Sequence, residues 1–282
     1  MQIERRSFEY PSKISGIVCC DFDETYLPFN PADRSDCGIH DLECFIGEHA
    51  VRAGLIIGWV TGSSLASVLR KSEGFAERIP HFIAGSLGSE FYWVRDNRIV
   101  ESQEWTDMIR STGFGTGNIG KVVDLLGKDR IVLTPQGPDY QGKYMKSYYY
   151  RETGRSSVDL ARMKAVADHF NVKVLMSGCN PLAGDPAGYF DVHFLPRCCG
   201  KEQVLLFLCE HLGVEKKDTY AFGDSFNDLE MLDSAGNSFL VGNADPAVKE
   251  VYPFVLAGNY CKGIREKMEE LIGIKNRKPY TG

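Results

Sequence analysis

The sequence has no apolar run approaching the ~20 residues of a membrane span; its longest stretches, such as Leu55 to Val60, are far shorter. Its opening, MQIERRSFEYPSK, lacks the apolar core of a secretory leader. It has no block of like charge and no cationic excess: 32 Lys and Arg face 38 Asp and Glu, for a net charge of −6. A general nucleic-acid or anionic-membrane binder carries the opposite balance, which excludes both as partners. An anionic ligand must therefore be held by local groups rather than drawn in by the overall field. No CxxC spacing occurs among the nine cysteines, so neither a zinc ribbon nor a thioredoxin-type motif is expected. The odd count and the neighbouring pairs Cys19–Cys20 and Cys198–Cys199 point to free thiols in a reducing compartment. A soluble, cytoplasmic protein is expected. Internal repeats and low-complexity segments are also lacking.

What is present is an ordinary globular composition, 43% hydrophobic and 25% charged over 282 residues. That length suits one or two domains at roughly 150 residues each. GIVCC (16–20), LIIGWV (55–60) and HFIA (81–84) read as buried parallel strands. Helical spacing of Ile39, Leu42, Phe45 and Ile46, and of Leu65, Val68 and Leu69, places a helix after each of the first two. In the middle, FYWV (91–94), RIV (98–100), RIVL (130–133), YMKSYYYR (144–151), VKVLM (172–176) and YFDVHFL (189–195) read as strands. Only two helical segments, near 119–126 and 158–170, separate them. From Lys201 the first pattern returns, with a helix, the strand TYAF (219–222), a short helix, another strand and a last helix near 260–272. The fold class expected is α/β: a Rossmann-like parallel-sheet core formed by 1–88 and 196–282, with an α+β cap domain inserted at 89–195.

The chemistry-bearing residues follow strand ends. DFDETY (21–26) follows the first strand and GDSFND (223–228) the strand at 219–222, so Asp21, Asp23, Asp224 and Asp228 gather at one sheet edge. Carboxylates this close repel unless a cation or proton relieves them, and a hard oxygen site of this kind suits Mg²⁺. TGSS (61–64) follows the second strand and opens a helix, so Thr61 and nearby N–H groups can hold phosphoryl oxygens. Lys201 opens the helix after the insertion and can add a positive charge. Singly, each piece is an ordinary cap, turn or surface charge. Four of them at four element ends point to a site for a phosphate.

With DFDET, the Thr of VTGSS, Lys201 and GDSFND in this order, the chain resembles the haloacid-dehalogenase-like phosphohydrolases over nearly its whole length. The insertion after the second motif is similar to the large α+β cap of that family. IAGSLGSEFYW (83–93) and DVHFLP (191–196) are similar to its sucrose-phosphate phosphatase branch. CDFDETY, IIGWVTGSS, PHFIAGSLGSE, CNPLAGDP (179–186) and AFGDSFND resemble the members of that branch that act on kanosamine 6-phosphate.

The resemblance implies a phosphoric monoester hydrolase that passes through an aspartyl-phosphate. Asp21 is then the nucleophile and Asp23 the general acid and base. Mg²⁺ is held by Asp21, the Asp23 carbonyl and Asp224, with Asp228 behind it, and Thr61, Gly62, Lys201 and Asn227 hold the phosphoryl group. Thr25 orients the loop. Two departures stand out: Ser63 occupies a position where many relatives carry Arg, and Gly200 precedes Lys201 where Lys-Gly is common. For the sugar, Lys146 and Asn180 are candidates, and Asp185, Asp191 and Glu90 are candidates for an amino group. His81 and His193 read as core or edge residues. General hexose phosphates and sucrose 6-phosphate stay open as substrates. A phospho-accepting or catalytically inactive binding protein of the same fold is the alternative from another class.

Overall fold

The computed structural model describes residue 1 and residues 5–115, 117–179 and 184–273. Its larger sheet has seven strands, ordered Asn237–Leu240, Thr219–Gly223, Gly16–Cys20, Leu55–Val60, Phe82–Gly85, Glu90–Arg95 and Arg98–Glu101. The first five run parallel and the last two antiparallel. Every residue of Gly16–Cys20 and Leu55–Val60 is buried, as expected of strands covered on both faces. Parallel order brings the carboxyl ends of the Gly16–Cys20, Leu55–Val60 and Thr219–Gly223 strands to one edge, and Asp21, Thr61 and Asp224 with them.

The smaller sheet is antiparallel, ordered Val172–Gly178, Tyr189–Pro196, Lys146–Arg151 and Thr134–Pro135. Its register sets Asp191 beside Tyr149 and Ser177, and His193 beside Ser147 and Leu175. Alternation puts Val172, Val174, Val192, Phe194 and Tyr150 on the opposite face, where they are buried with Met163 and Val166 of the Ser156–Asp168 helix. Among the described residues, the face bearing Asp191 and His193 has no such helical cover. At one end of it Lys173 reaches Glu202 and Glu230 of the larger unit at 2.8 and 2.6 Å, so this face is turned towards the parallel sheet.

Three expectations need correction. Residues 90–101, assigned above to the inserted segment 89–195, belong to the larger sheet. Phe91 and Trp93 pack against Phe82, and Phe91 also meets Phe207 of the Lys201–Leu212 helix, so the hairpin buries its aromatics in the core. A third helix, Gln103–Ser111, follows it. Ser102 caps it by accepting from the Trp105 N–H, and Trp105 and Ile109 form its buried stripe, a pattern too short to register against its polar majority. RIVL (130–133) is not a strand; only Thr134–Pro135 pairs there, where a proline that cannot donate suits a sheet edge.

All nine cysteines are free thiols. No helix among the described residues is long and apolar enough to cross a membrane.

Candidate active site

The segment after the Gly16–Cys20 strand folds into a tight turn. Tyr26 and Leu27 N–H both donate to Phe22 O, and Glu24 takes a left-handed backbone with φ 60°. Asn243 anchors the turn by donating to Glu24 O at 2.6 Å. Asp21 is thereby held at the base of the site, only 4% exposed.

Lys201 is the centre of charge. Its ammonium donates to Asp21 Oδ1 at 2.6 Å, Asp228 Oδ1 at 2.6 Å and Asn227 Oδ1 at 2.9 Å, which uses all three of its protons. Burial works against that charge, but the Asp21 and Asp228 carboxylates outweigh it and raise the pKa. The helix it opens can sit so close because of Gly88 (φ 74°): a Cβ there would lie 2.5 Å from Gly200 O.

The carboxylates are crowded. Those of Asp21, Asp224 and Asp228 lie within 4.8 Å of one another. Burial, with repulsion from Asp228 and Asp23, pushes Asp21 up to about 7 against the pull of Lys201. Asp224 is raised well above the usual carboxylate range by burial and then by Asp21 and Asp228. Asp228 is fully committed: one oxygen accepts from Lys201, and the other accepts from the N–H groups of Asp224 and Ser225 at 3.0 and 3.2 Å. Gly223 permits this, since a Cβ there would lie 2.5 Å from the Asp228 Cβ. Thr25, fully buried, donates to Asp224 Oδ1 at 2.9 Å and so orients a carboxylate as well as its own loop.

Among the described residues, Asp21 Oδ2, Asp224 Oδ2 and the Asp23 carbonyl take no hydrogen bond from protein. Two buried carboxylates and the half-buried one of Asp224, balanced by one ammonium and with three oxygens uncommitted, fit a hard divalent cation. Thr61 is buried at the end of its strand, its hydroxyl accepting from Ser63 N–H at 3.1 Å, and the Gly62 N–H meets no protein acceptor among the described residues. Asp21, Thr61, Gly62, Lys201, Asp224, Asn227 and Asp228 thus gather at the sheet edge.

One contact was not read from the sequence. The Asp23 carboxylate accepts from Lys71 Nζ and from Ser63 Oγ, both at 2.7 Å. The available signal was a Ser just before the helix cap and a Lys in the last turn of the same helix, which is common on surfaces and marks nothing by itself.

The candidate sugar contacts are dispersed. Lys146 shares the helix-covered face with Phe194, and its ammonium donates to Gly142 O at 3.2 Å. Glu90 lies between the two sheets and is saturated: it accepts from Ser86 Oγ and Lys143 N–H at 3.0 Å each and from Tyr92 OH at 2.6 Å. Asp191 and Asp185 are neighbours on the open face of the smaller sheet, with Cys179. Asp191 accepts from Gln136 Nε2 at 2.6 Å, and Asp185 from Tyr149 OH at 3.0 Å. Burial, followed by the charge of Asp185, raises the Asp191 pKa. His193 shares that face, 2.9 Å from Ser147 Oγ, and burial pushes it down to about 4. His81 is buried between the Glu9 carbonyl and the Ile57 backbone, a core residue as expected. Asn180 lies outside the described residues.

Residues 14–265 match the model of the sucrose-6F-phosphate phosphohydrolase family. A kanosamine-6-phosphate phosphatase of Bacillus subtilis (strain 168) is 36% identical over 262 residues, 91% of this chain and 93% of that protein. The crystal structure of yhjK, a haloacid dehalogenase-like hydrolase protein from Bacillus subtilis, superposes with a TM-score of 0.75 at 33% identity, covering 96% of this chain and 97% of that one. Sucrose-phosphatase from Synechocystis sp. PCC6803, solved with sucrose and phosphate, shares the fold with a TM-score of 0.70 at 19% identity, covering 92% and 98%. The chain belongs to the sucrose-6F-phosphate phosphohydrolase family, phosphoric monoester hydrolases of the haloacid-dehalogenase-like superfamily.

Proposed function

We propose that this chain hydrolyses a sugar 6-phosphate, kanosamine 6-phosphate foremost, through a phosphoryl group carried transiently on Asp21. The observation that carries the reading is the Asp21 carboxylate, gripped through one oxygen by buried Lys201 while the other is uncommitted. The Asp21 carboxylate attacks phosphorus as the bond from phosphorus to the sugar oxygen breaks, and Asp23 gives its proton to the departing oxygen. Water then attacks phosphorus, Asp23 takes its proton, and phosphate leaves with Asp21 restored. Thr61, the Gly62 N–H and the Asn227 amide hold the phosphoryl oxygens and the Lys201 charge lies beside them, which is most of the work when the transition state is loose.

Mg²⁺ fits the donor set: the Asp21 and Asp224 carboxylates and the Asp23 carbonyl would hold it, with Asp228 fixing the Asp224 backbone behind. When bound, it supplies positive charge against the carboxylates and the phosphoryl group.

The smaller sheet, with helices Gly117–Lys128 and Ser156–Asp168, acts as a cap over the site and excludes water from the phosphorylated enzyme. The name of the Bacillus relative supports an aminosugar, and the paired carboxylates Asp185 and Asp191 on the sheet face turned towards the core suit its ammonium group. The family model favours sucrose 6F-phosphate as a second reading. Nine free cysteines support a reducing, cytoplasmic location.

The test is phosphate release with Mg²⁺ from kanosamine, glucosamine, glucose and sucrose 6-phosphates. A kcat/KM preference of about 100-fold for kanosamine 6-phosphate, worth about 2.7 kcal/mol, is expected. Equal rates across the hexose phosphates would replace the aminosugar reading with a general sugar phosphatase. No release from any would overturn the substrate class.

A further inference from the structure

The Leu65–Ser72 helix does more than present its first turn to a phosphate. Ser63 lies just before its cap residue Ser64, and Lys71 lies in its last turn. Side chains on a helix lean towards its N-terminus, so Lys71 extends back along the face that Ser63 begins. Lys71 Nζ donates to Asp23 Oδ1 at 2.7 Å and to Ser63 Oγ at 3.0 Å, and Ser63 Oγ donates to Asp23 Oδ2 at 2.7 Å. Both oxygens of Asp23 are therefore fixed by one helix. The ion pair is neither deeply buried nor loose, with Asp23 20% and Lys71 32% exposed, and the Lys71 ammonium lies over the Phe29 ring, 5.6 Å from its centroid. A surface ion pair of this exposure is worth little to stability. Its geometry, a three-way contact closed on one carboxylate at the mouth of the site, is instead that of a positioning device.

We propose that Lys71 and Ser63 are positioning residues for proton transfer, holding the Asp23 carboxylate at the angle and depth from which it serves the departing sugar oxygen. The proposal rests on the reading of Asp23 as general acid and base. Asp23 has no other hydrogen-bonded side-chain partner among the described residues, so without the clamp its χ angles are set by nothing. A misplacement of about 1 Å in a proton donor costs up to about 100-fold in rate, and the cost falls on substrates whose leaving group needs the proton. A sugar alkoxide needs it; p-nitrophenolate, a weak base, does not.

The experiment compares wild type, Lys71→Met, Lys71→Arg, Ser63→Ala and Asp23→Asn with Mg²⁺ on glucose 6-phosphate and p-nitrophenyl phosphate. Circular dichroism establishes that each is folded. Lys71→Met is expected to lower kcat/KM for the sugar phosphate by about 10- to 100-fold, and for the aryl phosphate at least ten times less. Lys71→Arg should recover much of the loss, and Ser63→Ala should show the same selectivity at smaller size. A loss equal on both substrates would make the role merely structural and overturn the proposal. So would an unchanged kcat/KM, or a loss carried by KM alone, which would make Lys71 a substrate contact. Asp23→Asn separates the two levels: if it fails to discriminate the substrates, the reading of Asp23 falls first, whatever Lys71→Met does.

Discussion

Lys201 and Asp21 meet in a 2.6 Å ion pair that is almost wholly sealed from solvent, with side-chain exposures of 2% and 6%. The same ammonium grips Asp228, so one cation holds the end of the first core strand to the loop after the Thr219–Gly223 strand. Removing one partner of a buried pair strands the other charge. Lys201→Met is therefore expected to lose about 3–5 kcal/mol of stability as well as activity. Urea unfolding measures the first and phosphate release the second. Unchanged stability would show that the two carboxylates find other partners.

Thr25→Val removes the hydroxyl that orients Asp224 without changing the shape of the buried site. Groups that orient a metal-binding carboxylate typically matter by 10- to 100-fold in metal affinity. A rise of about tenfold or more in the Mg²⁺ concentration giving half-maximal rate is expected, read from a Mg²⁺ titration at saturating substrate. A fall in maximal rate with no change in Mg²⁺ requirement would assign Thr25 to the loop alone.

Glu90→Gln separates two readings of a residue that sequence offered as a sugar contact. Its carboxylate ties Ser86 and Tyr92 of the core to the Lys143 backbone. The Lys143 amide should therefore exchange its hydrogen faster in the variant, while the ratio of rates on aminosugar and plain hexose phosphates stays within about twofold, well below the tenfold a lost 1.4 kcal/mol contact produces. Asp191→Asn is expected to do the reverse, lowering that ratio by about tenfold or more. Equal behaviour of the two variants would reject the assignment of Asp191 to the amine.

Glu43 gives a pH dependence remote from the site. Burial first, and then the charge of Glu77, pushes it up to about 7 despite hydrogen bonds from the N–H groups of Glu77 and Arg78. The folded state thus keeps a proton on Glu43 that the unfolded state loses near pH 4.5. Stability must fall as pH rises from about 4.5 to about 7, and stay reduced above. Glu43→Gln should make that slope shallower and gain about 1–3 kcal/mol at pH 8. Parallel unfolding curves at pH 5 and pH 8 for both proteins measure it, and an identical slope would contradict it.

Much of this is legible in the sequence. Asp21, Thr61, Lys201 and Asp224 are each the first residue after a strand or the first of a helix, and parallel topology leaves such residues one edge to share. Lys71 was hidden because a lysine in the last turn of an amphipathic helix is ordinarily solvated; only the bend of its side chain towards Ser63 gives it a role. Lys146 and Asp191 show the limit of strand patterns. Alternation separates two faces without saying which one helices will cover, and here they cover that of Lys146. The hairpin at 90–101 followed the same uncertainty, since its aromatic residues suit either sheet and packing against Phe82 and Phe207 decided it.

The central claim is that the phosphoryl group passes through Asp21. Protein quenched in acid during turnover of a sugar phosphate, then cleaved and weighed by mass spectrometry, tests it most directly. A phosphoryl group on the peptide carrying Asp21 is expected, with none on folded Asp21→Asn and a turnover loss of at least about 10³-fold in that variant. Phosphate release near the wild-type rate by folded Asp21→Asn, with no phosphoryl group on that peptide in either protein, would contradict it.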